Sequence, residues 1–343
     1  MKKLRLITVL CVVLISVPLL LSGCSNKAPS TPAPSGSADA APVKRLMDRP
    51  LMLGFQGASC EAYFYAAEML NLYEKYGLDV EMVRATNARD NIASGKLDVT
   101  ESVIQEWVIP IEQGLDVKFT LGMHQGCSAC VVLADSPFYT IHDLIGKTIG
   151  VGPVLGGGSQ NYMYRYIMSE GLDPANDFQW TAYEGPASIF ALESGQVEAI
   201  IAPDPFIIMK IESGEYRYIS NLSTDEYTID ELCCLLVCSS KFVNDYPEAA
   251  KEFTKAIYEA TEYVQDHREE VTRYAMSKDY LMGTLEENLA CVKYYTYKPS
   301  VAVGRQTLEN SFRDYKKAGL IDESVDIQAV IDRVYVTFDG IDK

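Results

Sequence analysis

The segment His124-Gln125-Gly126-Cys127-Ser128-Ala129-Cys130 sets an imidazole and two thiols at His-x-x-Cys-x-x-Cys spacing. Three chemistries fit it. Metal ligation needs a fourth ligand, for which Cys60 is available, and a supporting outer shell. A disulfide between Cys127 and Cys130 suits an oxidising compartment. Plain packing is the third, since a thiol behaves as a small hydrophobe. His124 and Gln125 are also placed to touch a bound molecule. Cys233, Cys234 and Cys238 form a second group. Neighbouring residues of a strand point to opposite faces, so Cys233 and Cys234 are not expected to share an ion and are read as buried packing.

Other polar residues stand where loops meet helices. Gly156-Gly157-Gly158-Ser159 lies between a strand and a helix, where N–H groups and the helix dipole can hold an anion or a carbonyl. The alternative is a simple turn capped by Ser159. A nucleotide loop is excluded, because Ile141 stands where Gly146-Lys147-Thr148 would need a preceding glycine. Gln56-Gly57-Ala58-Ser59-Cys60 opens an earlier helix and would face the same cleft from the other side, with Ser59 as ligand contact or cap. Glu101 ends a strand at that rim, where its carboxylate is solvated or holds an amine or a pyrimidine N–H. Asp204 either caps a helix or pairs with a cationic ligand. Trp107 and Tyr183 are aromatic walls or core. The expected ligand set is Gln56, Ser59, Cys60, Glu101, His124, Gln125, Gly157, Gly158, Ser159 and Asp204, with no catalytic residue and no cofactor. A metal, if bound, would use Cys60, His124, Cys127 and Cys130.

The elements that must position these residues follow a strand–helix rhythm. Leu51–Phe55 reads as a strand, Ala62–Tyr76 as a helix stopped by Gly77, and Leu78–Val83 as a strand. Asn87–Ser94 and Ser102–Glu112 read as helices, Leu97–Thr100 and Val117–Leu121 as strands. The rhythm restarts after Cys130–Ala134, with strands at Thr148–Val151, Gln179–Tyr183, Ala199–Ala202 and Tyr216–Ser220 separated by helices. Such alternation predicts an α/β fold with mainly parallel sheets. Beyond Leu232–Ser239 the chain is mostly helical. Ala250, Phe253, Ile257, Ala260 and Val264 form one buried stripe. The strands 130–134 and 232–239 are expected to be crossings between two lobes, one from residues 50–134 and 240–343, the other from 135–239. Ligands bind such sheets beyond the carboxyl ends of the strands, and two crossings allow hinge closure.

The N-terminal region restricts the class of protein. Lys2, Lys3 and Arg5 precede an apolar run of about 16 residues, Leu6 to Leu21, which falls short of the roughly 20 of a comfortable span. It closes at Leu21-Ser22-Gly23-Cys24, a lipoprotein-type cut site. Residues 1–23 are therefore expected to be removed and Cys24 to carry lipid. Residues 24–49, rich in Ser, Pro, Ala and Gly through Val43, are expected to be a flexible tether. Of the 343 residues, 320 would remain, and losing Lys2, Lys3 and Arg5 moves the formal charge from −17 to −20. So acidic a chain argues against a nucleic-acid partner. Nine cysteines fall to seven once Cys11 is cleaved away and Cys24 is lipidated, so at least one stays unpaired.

Four segments carry a resemblance. Phe64–Val83 (FYAAEMLNLYEKYGLDVEMV), Ala93–Val99 (ASGKLDV), Ile141–Val151 (IHDLIGKTIGV) and Ala191–Phe206 (ALESGQVEAIIAPDPF) together resemble the nitrate/sulfonate/taurine-type solute-binding proteins of ABC importers, which share a fold with thiamine-pyrimidine-precursor binders. The resemblance runs from about Leu51 to Lys317. It implies a two-lobe type II periplasmic-binding-protein fold that captures a solute and delivers it to a permease and ATPase. It also implies ligand contacts at Gly157–Ser159 and in the loop holding Gln56 and Cys60. The expected protein is thus an extracytoplasmic, lipid-anchored, monomeric receptor and not an enzyme. Two alternatives stay open: a pyrimidine-synthase-like enzyme on the same fold, and a metal or redox lipoprotein using His124, Cys127 and Cys130. No Arg or Lys stands in the selected loops, which tilts the ligand toward a neutral or partly cationic solute.

Overall fold

The computed structural model describes residues 44–85 and 87–341, without the side chains of residues 204–206. The expected signal peptide, Cys24 and most of the tether lie outside the described residues. Residues 44–49, assigned above to the tether, are bound to the body. Leu46 donates its N–H to the Gly77 carbonyl at 3.0 Å, and Leu46 and Met47 pack on the core. Arg49 makes a two-pronged contact with Asp98. Two apolar side chains and a paired guanidinium are enough to order these few residues.

The strands are β1 (Leu51–Phe55), β2 (Val80–Arg84), β3 (Val99–Val103), β4 (Val117–Gln125), β5 (Ser128–Leu133), β6 (Thr148–Val151), β7 (Gln179–Ala182), β8 (Ala199–Pro203), β9 (Tyr216–Asn221), β10 (Cys234–Ser239) and β11 (Thr296–Ser300). They form a six-stranded sheet ordered β11-β4-β10-β3-β1-β2 and a five-stranded sheet ordered β7-β6-β8-β5-β9. Each sheet is parallel at one side, where β1 meets β2 and β3, and β6 meets β7 and β8. Each also takes an antiparallel strand from chain that has just crossed over: β5 against β8 and β9, and β10 against β3 and β4. The sheets are therefore mixed, not mainly parallel.

Sheet membership moves the expected crossings. β5 belongs to the second sheet and β10 to the first. The outward passage is the turn between β4 and β5, at Gly126 (φ 102°) and Cys127 (φ 84°). The return is the stretch between Asn221 and Cys234. The runs 130–134 and 232–239 read as connectors because both are strongly apolar, a pattern shared by any strand buried on both faces.

Local chemistry explains most element ends. Gly171 and Gly195 stop helices Gly158–Ser169 and Pro186–Glu193 in the left-handed region, at φ 79° and 71°. Helix Ala62–Met69 breaks earlier than its apolar spacing suggests, because Asn71 adopts φ 53° before a short helix resumes at Leu72. Helix Pro247–Ser277 lays its stripe on helix Ala62–Met69, and Ala250, Phe253, Ile257, Ala260 and Val264 are all fully buried.

Candidate functional site

At the end of β1 the chain turns through Gln56, Gly57 and Ala58 into a short helical turn at Ser59–Glu61. The N–H groups of this loop point inward to one carboxylate. Glu61 Oε1 accepts from Gln56 at 2.7 Å, and Oε2 accepts from Gly57 at 2.7 Å and Ala58 at 2.8 Å. Tyr65 adds its hydroxyl at 3.1 Å. An acid three residues after a helix-entry position is the capping-box placement, and that spacing was the available signal for Glu61. The loop's donors are thus satisfied from within. Gly57, at φ 93°, leaves no room for a Cβ against Arg84, whose guanidinium bonds the carbonyls of Gln56, Asp279 and Tyr280.

The residues singled out in this loop have separate fates. Gln56 is exposed. Ser59 is buried and donates to Asn288 Oδ1 at 2.5 Å, so it is neither a helix cap nor a cleft contact. Cys60 is buried beside Cys127. Glu101, on β3, is buried, and its Oε2 lacks a hydrogen-bond partner. Burial, then the nearby Glu61, push its pKa up to about 8. Burial also raises Glu61, opposed by its three N–H donors and Tyr65. With its pKa at about 8, Glu101 holds its proton at neutral pH.

His124 is fully buried at the end of β4, within 5.6–6.1 Å of the rings of Tyr63, Tyr295 and Tyr297 between centroids. Burial lowers its pKa to about 4, so the imidazole is neutral. Gln125 turns its amide to the Ile229 carbonyl on the return passage. Cys127 lies 3.4 Å from Cys233 and 3.7 Å from Cys234, sulfur to sulfur, and Cys233 lies 3.6 Å from Cys234. Adjacent cysteines were expected to diverge. They converge because Cys233 precedes β10 and the register shifts between Cys234 and Leu235, so strict alternation does not apply. Cys130 is elsewhere, on β5 in the second sheet, and no cysteine pair among the described residues is disulfide-bonded. Trp107 is core, and Tyr183 is half-buried against the second sheet's own cluster.

The other lobe faces this one through helix Gly158–Ser169. Its N-cap is Gly157, so Ser159 sits inside the first turn and is not the cap. Gly158 is pressed against the first lobe, where an added Cβ would lie 2.7 Å from Glu106 Cγ and 2.9 Å from Val103 Cγ2. An acidic side chain thus meets the positive end of a helix. Asn161 holds the Gly156 carbonyl at 2.7 Å, and Gln160 accepts from the Gly156 N–H at 2.6 Å. Asp204 is the first residue of helix Asp204–Glu212, after an N-cap at Pro203, and its side chain lies outside the described residues.

About two turns into this helix, Arg165 is buried and spans the lobes. It makes two 3.0 Å bonds to Glu231 on the return passage and one of 2.9 Å to Asp314 on helix Val301–Lys317. Tyr227 donates to the same Asp314. Sequence reasoning missed this network, since its members are 66 and 149 residues from Arg165.

Two α/β lobes joined by two passages, with a loop of one set against a helix start of the other, define a two-lobe type II periplasmic-binding-protein fold. Solved structures agree. The alkanesulfonate-binding protein SsuA from Xanthomonas axonopodis pv. citri superposes with a TM-score of 0.68 at 14% identity, over 84% of this chain and 98% of that one. The nitrate-binding protein NrtA from Synechocystis PCC 6803 does so with 0.68 at 15%, over 83% and 86%. Residues 45–277 match the NMT1-like family, and the chain belongs to it. A curated relative, the tetrathionate sensor histidine kinase TtrS of Salmonella typhimurium, is 35% identical over 78 residues, which is 22% of this chain and only 13% of that protein. Among the described residues no helix is long and apolar enough to cross a membrane.

Proposed function

We propose that the protein is an extracytoplasmic solute-binding receptor of an ABC-type importer, tethered by lipid at Cys24. It captures a small solute between its lobes and passes it to a permease and its ATPase, as a binder and not an enzyme. The family and the two-lobe fold support the receptor, and the junction between Val103–Glu106 and the start of helix Gly158–Ser169 is where the solute would be held. The observation that carries the ligand class is Glu61. Its carboxylate occupies the N–H groups of residues 56–58, which an anionic solute would otherwise use, and Glu106 adds a second acid at the rim. Arg84 is committed to three carbonyls. This favours a neutral or amine-bearing solute, such as an aminopyrimidine, over nitrate or a sulfonate.

Thermal unfolding of the full chain in detergent tests this, with aminopyrimidines, primary amines, alkanesulfonates and nitrate as probes. A ligand at a hundred times its Kd stabilises the native state by about 2.7 kcal/mol, a shift of several degrees in Tm. A shift with aminopyrimidines or amines is expected. A shift with nitrate or sulfonates alone would overturn the ligand class, and no shift with any probe would count against solute capture.

A further inference from the structure

His124, Cys127, Cys233 and Cys234 offer one donor atom each, all within 4.8 Å of one another and all buried. They come from three places: the end of β4, the outward turn and the start of β10. We propose that these four residues form a closed Cys3His site for a thiophilic ion of the zinc type, which fastens both passages between the lobes at one point.

Four of the six donor–donor distances lie near those of a tetrahedral ion, and all six lie within 4.8 Å. With metal–sulfur bonds of about 2.3 Å and metal–nitrogen bonds of about 2.0–2.1 Å, tetrahedral edges come to roughly 3.8 Å between sulfurs and roughly 3.5 Å from sulfur to nitrogen. The three sulfur–sulfur separations are 3.4, 3.6 and 3.7 Å, and Cys233 Sγ lies 3.6 Å from His124 Nδ1. Thiols packing as small hydrophobes also touch at such distances, so spacing alone does not decide. Two backbone features bring the donors to one point. Cys127 is held at φ 84°, an unfavourable region for a side-chain-bearing residue, and the register shift at the start of β10 brings two adjacent thiols to one side. Ligation through Nδ1 replaces the 3.2 Å contact that this nitrogen makes with the Gln125 carbonyl.

The donor set selects the ion. Three sulfurs and one imidazole suit zinc or copper(I), and not calcium or magnesium, which take oxygen. Four protein ligands in a buried site leave no open position, so the role is structural. As each metal–sulfur bond forms, a cysteine releases its thiol proton to solvent. Glu101 contacts Cys234 and is placed as an outer-shell partner of that sulfur. Cys130 is not a ligand, and Cys60 neighbours Cys127 from outside the group.

Cobalt(II) added to the full chain, stripped of metal and reduced, tests the assignment. One cobalt per chain is expected, with sulfur-to-cobalt charge-transfer absorption, tetrahedral ligand-field bands and displacement by an equivalent of zinc. Cys127→Ser and Cys234→Ser should each lose about a third of the charge-transfer intensity, while Cys130→Ser and Cys238→Ser leave it unchanged. Where a serine variant fails to fold, alkylation of the wild-type chain replaces it: zinc should protect Cys127, Cys233 and Cys234 selectively under partly denaturing conditions. A folded chain that takes up neither ion, cobalt bound without sulfur bands, or protection of other cysteines would overturn the proposal. None of these readouts depends on which solute the cleft binds.

Discussion

Glu61 and Glu101 are two buried carboxyl groups with opposite surroundings. Glu61 accepts three backbone N–H bonds and a tyrosine hydroxyl, whereas one oxygen of Glu101 has no partner. Burial and the nearby Glu61 therefore outweigh the hydrogen bonds from Cys234 and Tyr63, and the pKa of Glu101 rises to about 8. In the unfolded chain a Glu titrates near 4.3. Between those values the native state holds a proton that the unfolded state has lost. Its stabilising effect is complete below the unfolded pKa and disappears as pH rises through the folded one. Unfolding free energy of the metal-free chain should thus fall between about pH 6.5 and pH 8, by up to about 1.4 kcal/mol per pH unit for one proton, because at lower pH the buried neutral His124, with its pKa held at about 4, offsets the Glu101 slope. Urea titrations at several pH values measure that slope, and Glu101→Gln should remove most of it. An unchanged slope in the variant would mean that Glu101 is ionised in the native protein.

At the scale of elements, what the sequence disclosed depended on whether the determining contacts were local. Helix stops at glycine and the stripe from Ala250 to Val264 were legible, because capping and apolar spacing act within a few residues. β11 was not, since Thr296-Tyr297-Lys298-Pro299-Ser300 contains a proline and earns its place only by pairing with β4. The assignment of β5 and β10 to their sheets also depends on partners far along the chain. The candidate site followed the same rule. Cys60, Glu101 and His124 do share one buried region, but the convergence of Cys233 with Cys234 depends on a register shift that no spacing reveals. Arg165 depends wholly on distant partners, and its removal should be severe. Arg165→Leu leaves Glu231 and Asp314 uncompensated, which costs about 3–5 kcal/mol when a buried pair loses one member. Equilibrium urea unfolding reads this directly. A loss under about 1 kcal/mol would place the pair in the weak class of solvent-exposed bridges.

At the scale of the whole molecule, two of the contacts between the lobes differ in kind. The Arg165 network runs from the second lobe through the return passage to the first, and it stays in place only while its partners remain within hydrogen-bond reach. The approach of Gly158 to Glu106 and Val103 is different, because it is steric and tolerates no side chain. A receptor that closes on a solute needs one region that stays fixed and another that can part. The deep charged network suits the first task and the glycine contact at the rim the second. Gly158→Val should therefore wedge the rim apart without disturbing Arg165. Overpacking of this kind costs about 1–3 kcal/mol, equivalent to roughly fivefold to a hundredfold in a closing equilibrium. Small-angle scattering of the full chain should show a larger radius of gyration for Gly158→Val than for wild type, with Arg165→Leu used to compare loss of the deeper tie. If the Gly158 variant scatters like wild type while keeping its stability, the two lobes are fixed at the rim and solute must enter by another route.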